Sequence, residues 1–212
     1  MTGRGRSRWE RILRLTTRAM QAFLAATVGY ALLQASAGMV VNAGIPLLIA
    51  MFPDAVRHWY GYRLDPVLAA WIATAALLHV IGSLGAYTAV PIFDQIAHGV
   101  SASVVAGVGY ALVRVIERGH DRIEIPAETR FAFVVVFVIS FGVVWEVAEF
   151  ASGRIAALLG GEALLAQYGL DDIVMDQVFN AAGAVVVALW GTEYFTGVRR
   201  VIADRLRSGT GD

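Results

Sequence analysis

The chain has 212 residues, 58% of them hydrophobic and 16% charged, with a mean hydropathy of +0.63. Soluble domains run near 45–50% apolar and about 25% charged, so this composition excludes a disordered chain and an ordinary soluble enzyme. There is no cysteine, which removes disulfides, thiolate nucleophiles and cysteine metal ligands, and the net charge of zero gives no sign of nucleic acid.

A hydrocarbon core about 30 Å thick takes roughly 20 apolar helical residues to cross. In chain order the candidates are Arg18–Leu33, Gly38–Phe52, Pro66–Leu84, Ile92–Val115, Phe131–Ala151 and Ile173–Phe195. The expected fold is therefore all-α, a polytopic transmembrane bundle of about six spans in one integral membrane domain covering residues 1–212. The second candidate is short and nearly abuts the first, so a re-entrant segment is its alternative. Ala35-Ser36-Ala37 after an apolar run also resembles a signal-peptide cleavage site, but the apolar stretch resumes at once with Met39-Val40-Val41.

Every basic residue is arginine. With six spans and the N-terminus inside, the inner side collects Arg4, Arg6, Arg8, Arg11, Arg14 and Arg18. It then takes Arg57 and Arg63, the loop arginines 114, 118, 122 and 130, and the tail arginines 199, 200, 205 and 207. Arg154 alone stays outside. Cytoplasmic loops carry the Arg/Lys excess. This predicts a basic cytoplasmic N-terminus (1–17), a basic cytoplasmic tail (196–212) and residence in the cytoplasmic membrane. The charged loop Glu117–Arg130 reads as an inner connection, and the run Glu162–Tyr168 as an interfacial helix on the outer side. Small residues at Gly99, Ser103 and Gly107, and at Ala184 and Ala188, predict close packing of the fourth and sixth helices.

Ionisable residues within spans are costly and commonly functional. The third span carries His79. The fourth carries Asp94 and His98 at i,i+4, on one helical face. The fifth carries Glu146 and Glu149 at i,i+3, and the sixth carries Asp172, Asp176 and Asn180 at i,i+4 steps. Alternating span direction places all of these in the outer half of the membrane. Five carboxylates confined there cannot all keep their charge uncompensated, so protons or a cation must sit among them. Carboxylates with two imidazoles suit one or two divalent metal ions. His79, Asp94, His98, Glu146, Asp172 and Asp176 are the candidate ligands, and Glu149 the candidate general base.

Each position also has a structural explanation. His79 can bond a carbonyl between helices. Asp94 can cap the fourth helix and Asp171 or Asp172 the sixth, Asp171 being the better placed. Glu149 can be a solvated residue at a helix end. Asn180 reads first as interhelical glue. Trp145, Trp190, Tyr87 and Tyr194 read first as interface anchors.

Leu78-His79-Val-Ile-Gly82, Tyr87-Thr-Ala-Val-Pro91, Phe93-Asp94-x3-His98-Gly99 and Trp145-Glu-x2-Glu149 together resemble the core of the YjdF-like family of prokaryotic membrane proteins. Asp172-x3-Asp176 and Ala182-Gly183-Ala184 extend that likeness, which covers roughly residues 77–189; the first two spans carry no part of it. Asp94 with His98, and Asp176, Asn180 and Gly183, are similar more distantly to VanZ-like proteins, which tend to have Gln where this chain has Glu149. The first resemblance implies no established activity. The second implies a loose link to the cell envelope.

Three functions follow. The first is a metal-dependent hydrolase or transferase at the outer membrane face, acting on an envelope or lipid-linked substrate. The second is a non-catalytic partner or assembly protein whose cluster is a polar packing network. The third is a proton or metal-ion transporter, for which the inner halves of the spans hold few polar groups.

Overall fold

The computed structural model describes residues 3–119, 124–159, 163, 165 and 169–190. The long helices are α1 (Gly3–Leu33), α2 (Ala37–Tyr60), α3 (Pro66–Ile81), α4 (Phe93–Gly119), α5 (Ala127–Leu159) and α6 (Leu170–Trp190). No strand occurs among the described residues. The tail arginines, Tyr194, the side chains of Arg4, Arg6, Arg118 and Trp190, Arg122, and most of Glu162–Tyr168 lie outside the described residues. At the edge of that run, Leu165 N–H donates to Ser152 Oγ at 2.9 Å.

Among the described residues, five helices are long and apolar enough to cross a membrane: α2 through α6, with α3 counted to Ala89. The element that falls short of the expected six is α1, not the doubtful second one. Arg18 and Gln21 dilute the apolar stretch of α1. Its buried face, Thr17, Gln21, Leu24, Thr27 and Ala31, recurs every three or four residues and packs on α2 and α3. α2 outruns its predicted end at Phe52 because Pro46 and Pro53 are carried inside the helix. Both prolines are buried, and buried helices tolerate proline when neighbouring groups bond the loosened backbone. Here Gln21 Nε2 donates to Ala50 O at 2.8 Å. The helix ends at Gly61, whose φ of 69° is the left-handed conformation of a glycine C-cap. Ala35-Ser36-Ala37 forms the turn into α2, with Ser36 Oγ accepting from Met39 N–H at 3.3 Å.

The helices form two groups of three. α1, α2 and α3 pack together around Leu24, Ala43, Ala50, Ala73, Ala76 and Val80. α4, α5 and α6 pack together around Ala102, Ala106, Val134, Val138, Ala184 and Val187. α3 joins the groups through α4, where Leu68 and Ile72 share a cluster with Ala111. The outward faces are apolar: Val136, Phe141, Val144, Val147 and Phe150 of α5 are all exposed. A soluble surface does not carry such a stripe; a bilayer covers it.

α4 and α6 approach closely at two glycines. A Cβ at Gly183 would collide with the carbonyl oxygen of Gly99. The predicted close packing of these helices is present, with Gly183 rather than Ala184 at the point of backbone contact. Ala184 lies one residue on, fully buried.

Candidate metal centre

The polar residues gather at one end of the bundle, where α3 finishes, α4 and α6 begin, and α5 carries its last buried turns. Asp94 lies in the first turn of α4 and His98 one turn later. Their side chains are 14% and 13% exposed. Asp176 projects from α6 and is 1% exposed. His98 Nε2 stands 3.7 Å from Asp94 Oδ1 and 3.6 Å from Asp176 Oδ2.

These separations are too long for hydrogen bonds, which lie near 2.7–3.2 Å. They match two ligands on one ion. With bonds of about 2.0–2.2 Å, two ligand atoms at a tetrahedral or trigonal angle stand roughly 3.4–3.7 Å apart. One ligand atom from each of Asp94, His98 and Asp176 lies within 4.8 Å of the others, so the group can hold a metal ion. Asp176 Oδ1 is buried and has no hydrogen-bond partner among the described residues. An unsatisfied carboxylate oxygen in an apolar interior is expensive, and a cation relieves that cost.

The other acids flank this group. Glu146 and Glu149 are both buried on α5. Glu146 and Asp172 interact electrostatically with Asp94, and Glu149 with Glu146, Asp94 and Asp176. They stand beside the three ligand atoms rather than among them. Asn180 is buried with its carboxamide beside the His98 ring, so it brings α6 against α4 at the site itself. Gln95 lies alongside the Asp176 carboxylate.

His79 lies outside the three-residue group, with its Nδ1 3.1 Å from the Tyr87 hydroxyl. Its ring meets the indole of Trp145 edge-on, centroids 5.8 Å apart. Tyr87 and Trp145, both half-buried, therefore make contacts with candidate site residues besides the interface position expected of them. Trp145 Nε1–H also donates to Glu149 Oε1 at 2.9 Å. Glu149 is not a solvated helix end, because α5 continues to Leu159. Asp171 and Asp172 sit within the first turn of α6, not at a capping position before it.

Local backbone features hold these parts. α3 gives way at Gly82–Ala86 to a wide, π-like turn, with Gly85 at φ 126°. Such turns recur at functional sites. Tyr87 folds back over Gly82, where any Cβ would strike its ring. Ile92 enters α4 at φ 68°, a costly conformation for a β-branched residue. On α5, a Cβ at Gly142 would lie 2.6 Å from Asn180 Nδ2 and 2.7 Å from Gln177 Oε1. The glycine makes room for the carboxamides that line the cluster. Sequence reasoning missed Gly142, although it stands one turn before Glu146 and so on the same face.

A family model described as "Predicted membrane protein (DUF2238)" matches residues 15–197. The chain belongs to that family. Membership in DUF2238 runs from α1 through α6, so the first two helices share a family relationship that the motif resemblance at residues 77–189 did not reach. No curated protein and no solved structure matches the chain.

Proposed function

We propose that this DUF2238 protein is a membrane-embedded metalloenzyme, a hydrolase or transferase for lipid-linked or envelope substrates. The observation that carries the reading is the spacing of His98 Nε2 between two carboxylates at 3.6 and 3.7 Å, with a buried orphan oxygen on Asp176. Asp94, His98 and Asp176 hold one divalent ion. Glu146 and Asp172 are the next ligands, for the same ion or a second. The oxygen-rich donor set with one imidazole suits Mn²⁺, Fe²⁺ or Zn²⁺. Such an ion would lower the pKa of a bound water or clamp a phosphate, and Glu149 accepts the proton.

The arginines between α2 and α3, between α4 and α5 and after α6 support an orientation in the cytoplasmic membrane with the C-terminus inside and the site in the outer half. A lipid-linked substrate then reaches it from the outer leaflet. The more distant VanZ-like elements agree with an envelope role. A transporter is disfavoured by the layer beneath the cluster. Ala102, Ala106, Val134, Val138, Ala184 and Val187 close the centre of the second helix group with apolar side chains.

One observation favours a second reading. The approach of Asn180 to His98 and the carboxamides packed over Gly142 bring α4, α5 and α6 together, as a purely structural polar network would. Metal analysis separates the two. Detergent-purified wild type is expected to hold about one or two divalent ions per chain. Asp94→Ala, Glu146→Ala and the shape-preserving Asp176→Asn are expected to lose them. Glu149→Gln should keep the metal and lose turnover of lipid-linked phosphoesters. A folded wild type that stays metal-free after reloading refutes the enzyme and leaves the network.

A further inference from the structure

The carboxylate of Glu149 is held from outside the metal group. The indole N–H of Trp145 is a donor only, and it is spent on Glu149 Oε1 at 2.9 Å. The indole ring is itself wedged by His79, with an interplanar angle of 84°. His79 is steered by Tyr87, through the 3.1 Å contact to Nδ1 and a ring contact at 6.1 Å and 68°. Tyr87 is pinned over Gly82 on one side. On the other it meets the ring of Phe93 at 6.0 Å and 64°. Phe93 is the residue before Asp94.

A continuous series of directional contacts therefore runs Glu149–Trp145–His79–Tyr87–Phe93. It begins at the candidate base on α5, crosses to the end of α3 in the other helix group, and returns to the first turn of α4 beside a candidate ligand. Edge-to-face aromatic pairs and the indole hydrogen bond all fix orientation, not merely proximity. The irregular segment Gly82–Ile92, with left-handed φ at Gly85 and Ile92, is the backbone route that brings Tyr87 into the series.

We propose that Trp145, His79 and Tyr87 form an aromatic strut that sets the Glu149 carboxylate against the Asp94–His98–Asp176 group, with Trp145 as the positioning residue. The proposal rests on the metalloenzyme reading for its purpose, though not for its geometry. His79 is then a member of the strut and not a metal ligand. The first helix group thereby contributes to a centre whose ligands all belong to the second.

Two measurements on the full chain in detergent test it, using Co²⁺ as the probe. Trp145→Phe keeps an aromatic ring and removes the N–H. Tyr87→Phe keeps its ring and removes the hydroxyl. Both are expected to retain the wild-type Co²⁺ stoichiometry while shifting the visible Co²⁺ band. In a Glu149→Ala background, Trp145→Phe should produce no further shift. Spectra of both single variants that overlay the wild type overturn the proposal. The second measurement uses chelator-treated protein. The melting-temperature shift of the Tyr87→Phe/Trp145→Phe double variant should differ from the sum of the single shifts, since the two residues are linked through His79. Additive shifts overturn the strut. If folded wild type takes up no Co²⁺, the metalloenzyme reading fails, and the melting cycle alone decides the strut.

Discussion

Gly183→Ala is the sharpest test of how the bundle builds its centre. The added methyl would collide with the carbonyl oxygen of Gly99 and lie 3.2 Å from Ser103 N and 3.3 Å from Ala102 Cβ. Two of these neighbours are backbone and the third is a short side chain, so nothing flexible can yield. Non-bonded heavy atoms settle near 3.5 Å, so α4 and α6 must part by on the order of 1 Å. Overpacking of this kind costs about 1–3 kcal/mol. At ~2–4 °C per kcal/mol for a chain of this size, the melting temperature should fall by about 2–12 °C. The same movement widens the 3.6 Å gap between His98 Nε2 and Asp176 Oδ2. A gap of roughly 4.6 Å is too wide for two bonds of about 2.1 Å to one ion, so bound metal should fall as well. The assay is a thermal melt in detergent beside elemental analysis of the same sample. Gly153→Ala is the control, because a Cβ there meets nothing within 4 Å. A glycine inside a helix gives up about 0.5–1 kcal/mol relative to alanine, so this change should raise the melting temperature. Wild-type melting and metal content in Gly183→Ala would refute the packing argument and the dependence of the centre upon it.

Gly142→Ala presses on the ends of the Asn180 and Gln177 side chains. Those ends can yield, so it should cost only about 1–2 kcal/mol by thermal melt, with metal content reduced because Asn180 is displaced from His98. Glu117 accepts from Arg114 Nη1 at 2.6 Å and Arg130 Nη2 at 2.8 Å. Glu117→Ala leaves the Arg114 guanidinium without its carboxylate and Arg130 with only its 3.1 Å bond to Ile125 O, and should destabilise the end of α4 and the start of α5 by ~1–3 kcal/mol, read by the same melts. Arg18→Ala removes a bidentate pair with Asp54 at 2.7 and 2.8 Å. Arg18 is largely exposed, so the loss should stay within about 1 kcal/mol and shrink further at high salt; a larger, salt-independent loss would contradict this.

The helical class, the membrane environment and the shared end of the polar residues were legible in the sequence, because each depends on one dimension only. Span length follows from counting apolar residues, and alternating direction puts His79, Asp94, His98, Glu146, Glu149, Asp172 and Asp176 at one end of the bundle. The i,i+4 spacing also fixed which residues share a helical face. It could not fix which way that face turns. Rotation of each helix about its axis is set by contacts between chain segments far apart in sequence, here Gly183 on Gly99 and Gly142 on Asn180. Those contacts decided that one imidazole and two carboxylates stand within reach of a single ion, while Glu146, Glu149 and Asp172 stand beside them. They also set Trp145 and Tyr87 against His79, contacts that spacing alone does not reveal. Tertiary packing likewise carried α2 past two prolines and bound the polar face of α1 into the bundle. Hydropathy measures transfer from water to lipid, and neither outcome is a transfer: each depends on a partner helix supplying the hydrogen bonds and surface that the bilayer does not.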